Sequence, residues 1–599
     1  MNVLIADTET DGFLDSLTRI WTLQIATLDS DEVDVYADQP GYRPIAEGVE
    51  RLRKADRIVF HNGIRFDYWV MDRFYPGAVP LEKLYDTMVV SRLIDPQERQ
   101  HSLKALGKKL GIEKDDYDGG FDKFSPEMVS YGKQDIRVGK AIYLDQQKVI
   151  HDWGISVWLE HMTAYVIFLQ ERNGFLLDVK AARELDAELR QEMQDVEREL
   201  QVCFPPITTE VEWTPKASNR KLGYVKGVPM TKRVVETFSP GSRQQIGKRL
   251  MAKYGWKPKK WTPTGIPTVD EDVLANLDYP EAKLLSTYLD LEKRLGQVSD
   301  GKSGWLKLVK DTGRVHGVVN TNGAATGRMS HSKPNMAQVN KKDLRMRAAW
   351  LARPGWKLVG CDAEGIEARM LGHYLVPFDN GKVIERIISG KKEDGTDLHS
   401  ANLAVLKRIG MQTRDGCKTE LYALIYGASD PKLGQTIIDD CRNSGVTPPK
   451  TNKKQLGATA RLLLAKSMVG IDKLTHGVAS RIGKVKRHHI KGLDGRRITL
   501  KSKHSALNYL LQGAGAIAMK MALVIFHFET AVKNGWVHGV DFGYCANVHD
   551  EVQIECRPEI AEEIGKGFAA AITEAGVRLG VRCPLAGAYS VGSNWRETH

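Results

Sequence analysis

Cysteine is scarce in this chain: seven in 599 residues, an odd number, and no Cys-x-x-Cys pair among them. That excludes a zinc ribbon and a disulfide framework and fits a reducing compartment. The start, Met1-Asn2-Val3-Leu4-Ile5-Ala6-Asp7, lacks a cationic stretch followed by a long apolar one, so no signal peptide is expected. No apolar run reads as approaching the ~20 residues a membrane span needs. Internal repeats and low-complexity tracts are also missing. The chain is therefore read as soluble and intracellular.

What is present is length, cation and acid. The length exceeds what one core can serve and suggests about three or four domains. Net charge is +11 with a pI near 9.0, although 75 acids remain. Excess cation that keeps so many carboxylates suits a polyanion partner together with metal sites.

The segment Asn547-Val548-His549-Asp550-Glu551-Val552-Gln553-Ile554-Glu555 carries the most chemistry. Tyr544 to Val548 reads as a strand. Val552, Ile554 and Cys556 alternate with Gln553 and Glu555, a second strand with one buried face. Asp550-Glu551 then sits in or beside a tight turn. A second strand, Trp356 to Cys361, also ends in an acid, Asp362. Two strand-borne aspartates from distant segments suit two-metal phosphoryl chemistry, because metals ~4 Å apart need carboxylates on a stiff frame. An acidic turn on a solvated hairpin is the bland alternative.

Residues 1 to about 150 alternate strands (3–6, 21–26, 57–60) with helices, and helical texture follows from about 160. Residues 204–240, rich in Pro, Gly, Lys and Thr, read as an excursion between two helices. A helical block, about 376–490, separates Asp362 from Asp550. Near the start, Asp7-Thr8-Glu9 puts two acids on one strand face. His61 to Asp67 follows another strand, and Tyr131 and Asp135 share a helical face. Four acids and a tyrosine from three segments would cage two divalent ions and an activated water for phosphodiester hydrolysis. The set resembles the DEDD-type proofreading exonuclease in its tyrosine variant. By that resemblance Asp7, Glu9, Asp67 and Asp135 hold metal and Tyr131 positions water. Asp86 is read as a helix N-cap instead.

From Arg414 to Gly427, Arg414, Lys418, Tyr422 and Tyr426 recur every four residues. On a helix they form one drifting stripe, cationic at the end that also carries the positive pole of the helix dipole. Such a face suits a triphosphate near Arg414 and Lys418 and a sugar and base against Tyr422. A helix burying two tyrosines would not put both cations on their side.

Taken in order, these segments resemble a family A DNA polymerase over nearly the whole chain, most like the replicative enzymes of short-tailed phages. Asp362 to Glu367 is similar to the first palm motif, Arg414 to Gly427 to the fingers helix, and Val548 to Glu551 to the third motif. Thr326-Gly327-Arg328, Asn335 to Gln338 and Arg347 to Trp350 are similar to the primer-template tract. Asn508 to Gly515 resembles the palm helix after the fingers, Asp397-Leu398-His399 a triphosphate segment, and Gly592 to Trp595 with His599 the family's end.

The resemblance implies a multidomain α/β and α+β fold. A ribonuclease H-like 3′–5′ exonuclease domain (1–155) would precede a right-hand polymerase, with thumb 156–310, palm 311–375 and 495–599, and fingers 376–494. It implies Asp362 and Asp550 as ligands of two Mg²⁺, with Mn²⁺ able to substitute and the carbonyl of Cys361 or Ala363 completing the shell. Lys418 is implied as general acid and phosphate clamp. His399 and Arg414 would hold the dNTP phosphates, and Glu367 and Tyr422 would read its sugar. Arg328, Gln338, Tyr426, Gln512 and His549 would follow primer-template DNA, partly through minor-groove acceptors common to all base pairs. Tyr422 is expected to donate its hydroxyl to Glu367. In the family, phenylalanine at this position accompanies rejection of dideoxynucleotides.

The implied setting is a bacterial host's cytoplasm, with a helicase-primase as replication partner. Relatives that recruit thioredoxin have a much longer thumb excursion, so 204–240 argues against a thioredoxin-type processivity factor. The absence of a flap-nuclease segment before Met1 favours replication over gap repair. Intact acids argue against a DNA-binding scaffold with dead sites, and an N-terminal exonuclease argues against a single-subunit RNA polymerase.

Overall fold

The computed structural model describes residues 1–482 and 489–598; His599, part of the expected family ending, lies outside the described residues. The chain forms two compact units, one of Met1–Phe175, Gly317–Ser332 and Ala352–His599, the other of Leu176–His316 and Lys333–Leu351.

The first unit opens with a five-stranded sheet. Its strands are β1 (Val3–Thr10), β2 (Ile20–Thr27), β3 (Asp34–Tyr36), β4 (Arg57–Phe60) and β5 (Leu84–Asp86), in the order β3-β2-β1-β4-β5. β1 pairs antiparallel with β2 and parallel with β4, and β4 parallel with β5. The central strand is buried along its apolar stretch and carries Asp7 and Glu9 near its end. The helix Pro126–Ile150, with Ser125 as its N-cap and proline at the first turn, packs on β1.

A second sheet of the same unit is antiparallel throughout, in the order Phe542–Val548, Glu551–Cys556, Lys357–Ala363, Gly587–Gly592. Glu551–Cys556 is buried on both faces, not on one as its alternation suggested. The reason lies in residues remote in sequence. Arg353 and Asn173 bind the Glu555 carboxylate at 2.7 and 3.1 Å, and Thr598 donates to Gln553 at 2.8 Å. Buried polar groups persist because each finds a partner.

The helix Ala506–Ile525, continuing to Ala531, is long and apolar enough to cross a membrane by length and composition, which corrects the expectation that no such segment exists. Its most apolar stretch is 89% buried inside the protein, as a core helix is. Lys520 interrupts its apolar run and is itself buried, with its ammonium 2.8 and 3.0 Å from the two oxygens of Glu160. Arg496 reaches the same carboxylate at 2.9 Å and Asp494 at 2.7 Å. Removing one partner of such a buried cluster would strand a charge.

The second unit holds the helices Val179–Cys203, Arg243–Tyr254 and Pro280–Leu295 around a core that includes Leu200, Phe238 and Leu285. The segment between the first two is a two-stranded ribbon, Ile207–Trp213 against Met230–Glu236, paired from Ile207↔Glu236 to Trp213↔Met230. Both its faces are largely exposed. Thr214 to Pro229, its tip, carries Lys216, Arg220, Lys221 and Lys226 and no acid.

Candidate functional site

The first constellation gathers at the end of β1. Asp67 begins the helix Asp67–Phe74, delivered by a turn in which Asn62 adopts φ 66°. Asp86 builds that turn: its carboxylate accepts the N–H groups of Asn62 and Ile64 at 3.0 Å each, and those of Met88 and Val89 as N-cap of the next helix. Asp67 accepts the hydroxyl of Thr8 at 2.6 Å, which ties it to the strand that carries Asp7 and Glu9. Asp135 projects from Pro126–Ile150 one turn after Tyr131.

Burial raises the carboxyls of Asp7, Glu9, Asp67 and Asp135, and for Asp7 the charges of Glu9, Asp67 and Asp135 raise it further. Four acids that repel one another in a dry site need positive charge. One cation is present that the sequence gave no reason to single out. Lys114 ion-pairs with Asp135, and its ammonium lies 4.0 Å from the centre of the Tyr131 ring. In Glu113-Lys114-Asp115-Asp116 it reads as a solvated lysine in an acidic run.

The second constellation is built on the antiparallel sheet. Val548 pairs with Glu551, leaving His549-Asp550 as a two-residue turn, and His549 takes the left-handed conformation (φ 60°) that such hairpins need. Asp362 pairs with Glu551, and the N–H of Ala363 donates to the carbonyl of Asp550 at 3.0 Å. Asp362 and Asp550 are therefore neighbours across adjacent strands, with buried Cys361 and Ala363 flanking Asp362. Beneath the turn, Glu551 is held by the indole of Trp595 and by Gln553 at 2.7 Å.

A cleft of about 780 Å³ brings Asp550, His549, Glu367, Arg328, Lys418, Tyr422 and Tyr426 to one surface. Thr413 caps the helix Arg414–Ile425 by accepting the N–H of Gly416 at 2.8 Å. Arg414 and His399 do not line this cleft. Arg414 is paired with Asp397, at 2.5 Å, and Asp397 caps Leu398–Leu406. Burial and Arg414 push the His399 imidazole down to about 4, and its ring lies 6.4 Å from that of Tyr422. Gln512 sits half-buried on Ala506–Ile525. Gln338 belongs to the second unit, where its carbonyl accepts from Gln297 at 3.0 Å.

The expected hydroxyl donation from Tyr422 to Glu367 is not made. Tyr426, one turn further on, donates to Glu367 at 2.5 Å, and Arg328 holds the other oxygen at 2.9 Å. Helical spacing placed both tyrosines on the right face but could not say which one the carboxylate reaches.

Among the described residues no group of three His, Cys, Asp or Glu stands ready to hold a metal ion. The site at Asp362 and Asp550 offers two carboxylates and backbone carbonyls, and in the other site Lys114 occupies Asp135. The donor chemistry still fits hard divalent cations, which take oxygen ligands. One oxygen of Asp135 is buried with no partner among the described residues.

Glu420, on the helix Arg414–Ile425 but off the stripe, is fully buried, and burial pushes its carboxyl up to about 8 against the pull of Thr436 and Arg461. Folded Glu420 therefore keeps a proton that the unfolded chain loses near its ordinary value of 4.5. That contribution to stability is fully present below 4.5 and is lost as pH rises through about 8, at about 1.4 kcal/mol per pH unit. Glu420→Gln is expected to melt higher than wild type at alkaline pH, with the gap closing toward pH 5. Melting curves that stay parallel across pH would show the carboxyl ionised in the fold.

The model for DNA polymerase family A matches residues 228–597, and that for the RNase H superfamily matches residues 4–122. The chain is 30% identical to the DNA-directed DNA polymerases of Enterobacteria phage T3 and Escherichia phage T7, each alignment covering 100% of both chains. It is 26% identical to DNA polymerase I of Pseudomonas aeruginosa over 86% of this chain and 54% of that one. Among solved structures, the POL domain of Pol1 from M. smegmatis in complex with DNA primer-template and dNTP superposes with a TM-score of 0.72 at 18% identity, covering 99% of this chain and 96% of that one.

Proposed function

Since the chain belongs to DNA polymerase family A and is a DNA-directed DNA polymerase with an RNase H-like N-terminal domain, we propose that it extends primers by two-metal phosphoryl transfer and proofreads in the N-terminal site. The observation that carries the reading is the cleft, where the turn aspartate Asp550 faces Lys418, Tyr422 and Glu367. Asp362 and Asp550, with a carbonyl of Cys361 or Ala363, would hold two Mg²⁺. Such ions, when bound, polarise the primer hydroxyl and neutralise phosphate charge.

The chain's own groups do the rest. Lys418 donates a proton to the leaving pyrophosphate. Arg414 exchanges Asp397 for the triphosphate, and His399 contacts the same phosphates. Glu367, braced by Arg328 and Tyr426, closes the sugar pocket beside Tyr422. Arg328, Gln338, Tyr426, Gln512 and His549 follow the duplex. In the N-terminal site Asp7, Glu9, Asp67 and Asp135 hold metal while Tyr131 orients the attacking water. The end-to-end likeness to the T3 and T7 enzymes supports replication of a phage genome in a bacterial cytoplasm, alongside a helicase-primase.

We assign duplex backbone binding to the acid-free ribbon tip, with no need of a thioredoxin-type factor. The experiment is primer extension on a long single-stranded template, with and without thioredoxin. It compares wild type with a variant carrying alanine at Lys216, Arg220, Lys221 and Lys226. Excising Lys216 to Arg233 is the poorer test, because it removes half the return strand. DNA affinity is expected to fall by about 0.9 log unit per log unit of salt for each phosphate contact. The variant should show a shallower slope and shorter products with single-nucleotide addition intact, and thioredoxin should change neither. Equal product length and slope would remove the ribbon from the DNA-binding surface.

A further inference from the structure

Lys114 is placed by construction, not by chance. Its loop is fastened to the helix that carries Tyr131 and Asp135. The side chain of Gln134, next to Asp135, donates to the Glu113 carbonyl at 2.6 Å. Lys104 holds Asp116 at 2.6 Å, the Trp21 indole donates to the Phe121 carbonyl at 2.8 Å, and the Tyr117 ring packs 5.4 Å from Tyr131. The ammonium so delivered is mostly buried, with 16% of the side chain exposed, and meets one oxygen of Asp135. The other Asp135 oxygen is buried with no partner among the described residues. A solvated surface lysine would not give up its hydration here; it does so because the acids replace its water.

On the reading of this site as an exonuclease, we propose that Lys114 is a built-in counter-cation that a divalent metal must displace from Asp135, so that 3′–5′ degradation requires more metal than it would without this lysine. Like charges cannot share one carboxylate oxygen, and the metal therefore competes with a tethered ammonium at a high local concentration. Lys114 is thus a positioning residue, acting through Asp135. Its consequence is a threshold: degradation sets in only at Mg²⁺ high enough to displace the ammonium from Asp135.

The test uses the full-length protein. Shortening of a 3′-labelled single strand and single-nucleotide extension are each followed against Mg²⁺ for wild type, Lys114→Met and Lys114→Arg. Mn²⁺ binding is measured by electron paramagnetic resonance in the Asp550→Asn background, with Asp7→Ala/Glu9→Ala as the reference that removes the N-terminal sites. Lys114→Met should shift degradation to lower Mg²⁺ and tighten Mn²⁺ binding, on the order of tenfold each. Lys114→Arg should resemble wild type, and extension should not move. Degradation and Mn²⁺ curves of Lys114→Met within twofold of wild type would overturn the proposal. If wild type degrades nothing, the exonuclease reading falls, and the Mn²⁺ isotherm alone decides whether Lys114 competes. Should Lys114→Met fail to extend primers, and so to fold, Lys114→Gln takes its place.

Discussion

Asp7→Ala combined with Glu9→Ala should abolish 3′→5′ shortening of single strands and leave primer extension near its wild-type rate, whereas Asp550→Asn should do the reverse. Each loss is expected on the order of a thousandfold, the upper range for removing one preorganised electrostatic group. The two variants act on sheets with no strand in common. Neither should unfold the protein. Asp7, half-buried, and Glu9, buried, sit among like charges, so their removal relieves repulsion. Asparagine keeps the shape of Asp550, and the contact that pins the turn uses the Asp550 backbone carbonyl, not its side chain. A labelled single strand and a primed template, assayed side by side, provide the measurement. If either change eliminated both activities in a folded protein, the assignment of two separate sites would be wrong.

Sugar choice should respond almost as strongly, and to two residues in different ways. Glu367 is buried, braced at one oxygen by Arg328 and at the other by Tyr426, and cannot swing aside. A ribose 2′-hydroxyl meeting it would clash or lie unpaired, an exclusion of several kcal/mol or on the order of a thousandfold. Glu367→Ala should therefore admit ribonucleotides, with some loss of normal incorporation because Arg328 and Tyr426 lose their anchor.

Tyr422 acts separately. Its phenol is pushed up to about 12 by burial and by the charges of Glu367 and Asp550, so it stays protonated and can donate where a 3′-hydroxyl is missing. Wild type should accept dideoxynucleotides almost as readily as normal ones, and Tyr422→Phe should resist them while extending normally. Termination ladders run at matched nucleotide ratios measure both. Strong rejection of dideoxynucleotides by the wild type would refute this role for Tyr422.

Much of this was legible without coordinates, because local rules wrote it. Alternation near Asp7 and Glu9, the apolar strand before Asp362 and the turn at Asp550 all follow from strand periodicity, and the structure places each on a strand or its turn. The four-residue spacing of Arg414, Lys418, Tyr422 and Tyr426 is a property of one helix, and that helix is there. Asp86 as an N-cap needed only its immediate neighbours. In each case the deciding interaction lies within a few residues of chain.

What only the tertiary structure decided depends on contacts between distant segments, which no period records. Tyr426 and not Tyr422 reaches Glu367 because two elements approach at a particular height along the helix. Arg414 is engaged by Asp397, and Lys114 enters the acidic site on a loop fastened across the helix face. Gln553 and Glu555 are buried because Thr598, Asn173 and Arg353 come to meet them. The helix at Ala506 is a core helix because protein surrounds it and Glu160 answers Lys520. Composition dictates which groups need partners; only the packed chain determines which partners they meet.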